Sequence, residues 1–134
     1  MKNKNKGMTL LELIIAVAII AILSGIAIVN LIPHLEKSRE YRRNAEAQAV
    51  YRALELCFAE TVTADNLNKA YVEILMTPLN SPKNRLVPYL TGKCSDGARI
   101  VSMILDKENI QITAIIYQVD GYRIEVRNGM ICEE

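Results

Sequence analysis

The sequence holds a single histidine, no CxxC pair and no glycine-rich phosphate loop. Each absence closes off a class of chemistry. His34 stands far along the chain from Cys57, Cys94 and Cys132, so a zinc site lacks ligands. No nucleophile–base motif is present, and the scattered carboxylates read as solvated. The chain therefore reads as a non-enzyme that needs neither metal nor cofactor. A dominant charge sign is missing too. Sixteen basic and fifteen acidic side chains leave a net charge of +1, which gives nucleic-acid binding no global electrostatic support. Three widely spaced cysteines permit at most one intrachain disulfide.

The apolar residues that make up 51% of the 134 positions are unevenly distributed. After the basic start Lys2-Asn3-Lys4-Asn5-Lys6 and Gly7 comes a segment from Met8 to Val29 whose only charge is Glu12. About 20 apolar residues at a rise of about 1.5 Å each cross the hydrocarbon layer of a bilayer. Three lysines ahead of the segment place the N-terminus in the cytoplasm. A secretory signal peptide has a shorter apolar stretch, of about 7–15 residues, and a small-residue cleavage site after it. Here the apolar stretch is longer and helical character continues beyond it. A plain single-span anchor accounts for the length but not for Glu12.

A carboxylate in the middle of a membrane segment costs about 2.5–3.5 kcal/mol and usually faces a partner or marks a function. Glu12 lies four residues after Met8. A cut after Gly7 gives Met8 a free ammonium close enough to partner that carboxylate, within the subunit or in a neighbour. An intersubunit pair would fix axial register, a specificity use of buried charge.

Gly7-Met8-Thr9-Leu10-Leu11-Glu12 ahead of an apolar helix resembles the class III leader of type IV pilins and their pseudopilin relatives. The match is close over residues 2–32 and loose beyond. The resemblance implies that residues 1–7 are a leader removed after Gly7 by a membrane prepilin peptidase. The same enzyme would N-methylate Met8, and Glu12 would register subunits. Methionine replaces the commoner phenylalanine at the new terminus. Losing Lys2, Lys4 and Lys6 takes the sixteen basic groups to 13, against 15 acidic.

Residues 8–32 are then the transmembrane half of a long helix, and 33–134 a globular domain that contains its second half. Gly25 and Pro33 weaken the helix between them. In the pilin reading they mark a stretch that extends or melts when subunits pack, so both are assigned as a helix break. Glu36 to Arg43 is charged on all sides and reads as a solvated helical stretch, with pairs such as Arg42 and Glu46 at helical spacing. Ala47, Val50, Tyr51, Leu54, Cys57 and Phe58 recur at three- and four-residue steps as one core stripe. Thr63 or Asp65 is placed to cap a short helix running to about Met76. Pro78, Pro82 and Pro88 mark an irregular connection.

The C-terminal third predicts an antiparallel meander: Arg99–Leu105, Ile110–Gln118, Tyr122–Arg127 and Met130–Cys132. Asp120-Gly121 and Asn128-Gly129 supply tight turns. Tyr122, Ile124 and Val126 are assigned to the buried face. The stripe needs a lid and the sheet needs a floor, so each covers the other. The expected fold is α+β, a pilin-like lollipop. Its long N-terminal helix is transmembrane in its first half and packs by its second half on a sheet of three to four strands.

The family often closes its C-terminal region with a disulfide. By that resemblance Cys94 and Cys132 pair, with a stabilisation of about 2–4 kcal/mol. The alternative is three free thiols. The resemblance further implies a structural subunit held in the cytoplasmic membrane with its N-terminus inside, then extracted by inner-membrane assembly machinery into an extracellular filament of pilin subunits. Adhesion, motility and DNA uptake are the expected uses. The alternatives are a pseudopilin of a secretion or competence system and an unprocessed anchored binding domain.

Overall fold

The computed structural model describes residues 7–132. The expected leader, residues 1–7, lies outside the described residues except for Gly7. The fold is α+β, with a 52-residue helix α1 (Leu10–Thr61), a second helix α2 (Leu67–Met76), and strands β1 (Arg99–Asp106), β2 (Gln111–Val119), β3 (Tyr122–Arg127) and β4 (Met130–Cys132). The chain forms two compact units divided between Arg39 and Glu40.

In the first unit α1 carries the apolar segment, and its side chains from Leu10 to Ile32 are almost all exposed. The helix is long and apolar enough to cross a membrane. It runs through Gly25 and Pro33 without interruption. A proline there deletes one main-chain bond of the ladder, and the bonds on either side hold the helix. The break expected of these two residues in a packed filament is absent from the single chain.

In the second unit the stripe on α1 is the core. Ala47, Val50, Tyr51, Ala53, Leu54, Cys57 and Phe58 are all buried. All of these but Ala53 belong to one cluster with Ala70 and Ile74 of α2 and the inward side of the sheet. The strands follow one another in order β1-β2-β3-β4, each antiparallel to the next. Register gives rows of side chains across the sheet. Ile100–Tyr117–Ile124 and Met103–Ile115–Val126–Ile131 face the core. Arg99–Gln118–Arg123 and Ser102–Ile116–Glu125–Cys132 form rows of the opposite, outward side. This is the one-sided burial that alternating strands produce.

Both hairpin turns use the residues that the sequence offers. Asp120 and Gly121 have φ of 52° and 81°, and Asn128 and Gly129 have 50° and 80°. Two successive left-handed residues are what a two-residue turn of the right twist requires.

Three local expectations fail for identifiable reasons. Tyr122 is exposed, not buried; it opens β3 and its ring carries the Arg43 guanidinium 4.0 Å above it. Strand β2 begins at Gln111 because Ile110 sits in the left-handed region at φ 53°, a strained conformation for a β-branched residue. The turn before it is braced by Asp106, whose carboxylate accepts from the Glu108 main-chain N–H (3.0 Å) and the Asn109 side-chain amide (2.7 Å). Finally, neither Thr63 nor Asp65 caps α2. Asn66 precedes the helix, and its amide instead accepts from the Thr63 N–H (2.9 Å) and donates to the Thr61 carbonyl (3.0 Å).

Candidate functional site

The residues that the sequence marks as functional lie at the head of α1. Among the described residues nothing crowds the place where a Cβ on Gly7 would stand, and Met8 is exposed. Glu12 is not without a partner. The Thr9 main-chain N–H donates to Glu12 Oε2 at 3.0 Å, and the Thr9 hydroxyl lies 3.2 Å from the same oxygen as donor. In return the Glu12 N–H donates to Thr9 Oγ1 at 3.2 Å. The Leu13 N–H then closes the first helical bond onto the Thr9 carbonyl (3.1 Å). This reciprocal arrangement is a capping box.

From the sequence, Glu12 has only the Met8 ammonium to pair with, and that exists only after a cut. The structure brings Thr9 to it instead, three residues away. Thr-x-x-Glu ahead of an apolar run is a sequence signal for this cap, and it adds Thr9 to the residues of the site. The carboxylate is thus solvated by its own helix start before any neighbour is available.

A second polar cluster lies in the other unit, where α1 meets the sheet. Glu46 Oε1 accepts from the Ser95 N–H at 2.6 Å and Glu46 Oε2 from the Ser95 hydroxyl at 2.7 Å. The Tyr117 hydroxyl of β2 donates to the same carboxylate. Arg42 donates to Ser95 Oγ at 3.3 Å. Burial alone would push the Glu46 carboxyl up, but the Tyr117 and Ser95 hydrogen bonds and the Arg42 charge outweigh it and hold the group below the usual range. Tyr117 is pushed strongly the other way by burial and by the carboxylate it faces. Glu46 is therefore not one of the solvated carboxylates. Its partners lie 49 and 71 residues along the chain, so no local pattern could have placed it.

The three cysteines are free thiols. Cys57 is buried on the helix stripe, and burial pushes its thiol up. Cys94 is buried on the core side, where burial and then the Glu46 charge push its thiol to about 11, against a hydrogen bond with Tyr117. Cys132 is exposed and sits in the row of Glu125 on the outward side of the sheet. The structure therefore does not bring Cys94 and Cys132 together; they lie on opposite faces of the sheet, which a disulfide cannot bridge without backbone movement. Among the described residues no three histidine, cysteine, aspartate or glutamate side chains converge as metal ligands.

Comparison with known proteins bears on the first cluster. Residues 2–28 match the family model described as the prokaryotic N-terminal methylation motif. The chain is 42% identical over 57 residues to the type IV major pilin protein PilA of Myxococcus xanthus (strain DK1622), covering 42% of this chain and 26% of that one. It is 40% identical over 65 residues to the type IV major fimbrial protein FimA of Dichelobacter nodosus, covering 48% of this chain and 41% of that one. The chain thus spans less than half the length of either relative. No solved structure matches it significantly. The chain thus carries this motif at the head of a long apolar helix, continues into an antiparallel α+β domain, and is similar over part of its length to two type IV pilus subunits.

Proposed function

We propose that this protein is a structural subunit of a type IV pilus, stored in the cytoplasmic membrane and then assembled into an extracellular filament. The observation that carries the reading is the methylation motif over residues 2–28, with Glu12 at its fixed distance from Gly7. In this reading a prepilin peptidase cuts after Gly7 and methylates the new Met8 amine. Assembly exchanges one apolar solvent for another: lipid covers the helix in the bilayer, and neighbouring helices cover it in the fibre. Glu12 exchanges its Thr9 cap for the Met8 ammonium of a neighbour, and the ion pair sets the axial step. Gly25 and Pro33 mark where the helix loosens to fit that packing.

Mass analysis of the protein's N-terminus from cells tests the proposal. The expected species begins at methylated Met8. An intact leader of residues 1–7 on the mature protein would overturn it and leave an anchored domain. Sheared surface fibres containing the subunit would separate a pilus from a secretion or competence pseudopilus; the relatives, a major pilin and a major fimbrial protein by name, favour the pilus.

A further inference from the structure

Between Leu90 and Arg99 the main chain makes almost no ladder of its own. The Ala98 N–H bonds the Ser95 carbonyl at 3.1 Å, and regular pairing begins only where Arg99 meets Gln118. The middle of this segment is instead gripped by side chains from two sides. Asn80 donates to the Cys94 carbonyl at 2.8 Å and accepts from the Cys94 N–H at 2.9 Å. Glu46 accepts from both the N–H and the hydroxyl of Ser95. Tyr117 ties the same carboxylate to the central strand β2. Cys94 itself is buried, at 6% exposure.

Segments held by few main-chain bonds open at the low end of a domain's range of local stabilities. We propose that Glu46 is a latch that holds the Cys94–Ala98 segment onto α1, and that its release opens this segment ahead of the rest of the domain and presents the Cys94 thiol to solvent. Cys57 provides the internal contrast. It too is buried, but it sits within α1, with its thiol 3.9 Å from the Arg85 carbonyl, and does not depend on the latch. Opening at the latch alone frees Cys94; opening of the whole core frees both. The inference stands independently of the filament reading, because it concerns how one domain opens.

The test is peptide-resolved alkylation of the full chain in detergent micelles with iodoacetamide at fixed pH. In the wild type Cys132 reacts first, and Cys57 and Cys94 both lag. Glu46→Gln keeps the side-chain volume and removes the charge that two donors on Ser95 and one on Tyr117 share. Cys94 alkylation is expected to rise about tenfold, equivalent to about 1.4 kcal/mol, with Cys57 unchanged. Losing the Glu46 charge also lets the Cys94 thiol ionise more easily, so the opening itself is read from amide exchange at Ser95, which should rise alongside it, and from a variant that keeps the charge. Ser95→Ala, which removes only the hydroxyl leg, should give a smaller rise in the same direction and carries the test if Glu46→Gln does not fold. Two results overturn the proposal: a Cys94 rate in Ser95→Ala equal to wild type with Ser95 amide exchange unchanged in Glu46→Gln, or Cys57 and Cys94 accelerating by the same factor, which is loosening of the whole core.

Discussion

The capping box at Thr9 and Glu12 creates a sharp test, because it offers a purely structural reason for the same carboxylate that the assembly reading needs. Thr9→Ala removes the hydroxyl that accepts from the Glu12 N–H at 3.2 Å and leaves the Thr9 main-chain bond to Oε2 at 3.0 Å. Loss of a threonine cap costs about 1 kcal/mol. Glu12→Gln keeps a side-chain oxygen that can accept the same bond, so as a capping change it costs no more than Thr9→Ala. As a change of charge it is far larger. In the proposed filament it would leave the Met8 ammonium of a packed neighbour without a counter-ion, and removing one partner of a buried pair costs about 3–5 kcal/mol. Capping and registration thus predict opposite rankings. If registration governs, Glu12→Gln abolishes sheared surface filaments while Thr9→Ala retains them, with both proteins cut after Gly7 and present at wild-type level in the membrane. The measurements are electron microscopy of sheared fibres, immunoblotting of membranes and N-terminal mass. Normal filaments from Glu12→Gln, or equal loss in both variants, would refute the assigned role of Glu12.

Acid should weaken the domain through Glu46. Its folded pKa lies below the ordinary 4.5, so its contribution is fully present above that value and is lost as pH falls through the lower folded value. Thermal melts by circular dichroism should show a falling midpoint below about pH 4.5, with a flatter acid limb in Glu46→Gln. Tyr51→Phe deletes the buried bond from its hydroxyl to the Ile112 carbonyl (3.0 Å) and should cost about 1–3 kcal/mol in denaturant titration, because the carbonyl is left unsatisfied. Leu54, with no exposed surface in the middle of the stripe, should cost about 2–5 kcal/mol on Leu54→Ala by the same titration. Intact mass under denaturing alkylation should show three modified thiols with or without reductant; a reductant-dependent pair would contradict the opposite placement of Cys94 and Cys132.

The long-range plan of the fold was legible because it rests on local periodicity. The stripe from Ala47 to Phe58 needs only three- and four-residue steps, and the hairpins need only Asp120-Gly121 and Asn128-Gly129 between alternating runs. The errors fall where a residue's neighbour is set by tertiary placement. Tyr122 alternates in phase with Ile124 and Val126, yet it lies at the strand's first position, where an arginine from α1 covers its ring in place of the core. Ile110 looks like the start of a β-branched strand, but the Asp106 turn spends it on a left-handed corner. The cysteine pairing failed for the same reason. Spacing says nothing about faces, and one thiol points into the core while the other lies outward.

Glu12 and Glu46 show where the limit lies. Both are carboxylates in or beside apolar stretches of α1, and both are satisfied by a hydroxyl together with a main-chain N–H. Glu12 finds its partners within three residues, so the Thr-x-x-Glu spacing is enough to locate its cap. Glu46 finds its partners in a loop and a strand that reach it only once the sheet has folded onto the helix. That difference gives the two residues different tasks. A carboxylate capped by its own helix start can surrender that cap at about 1 kcal/mol and take another partner, which suits a residue that must change neighbours when a subunit leaves the membrane. A carboxylate bound by three donors from distant elements cannot exchange partners without opening the domain. The first therefore suits the assembly role proposed for it, and the second the holding of one packing of helix and sheet.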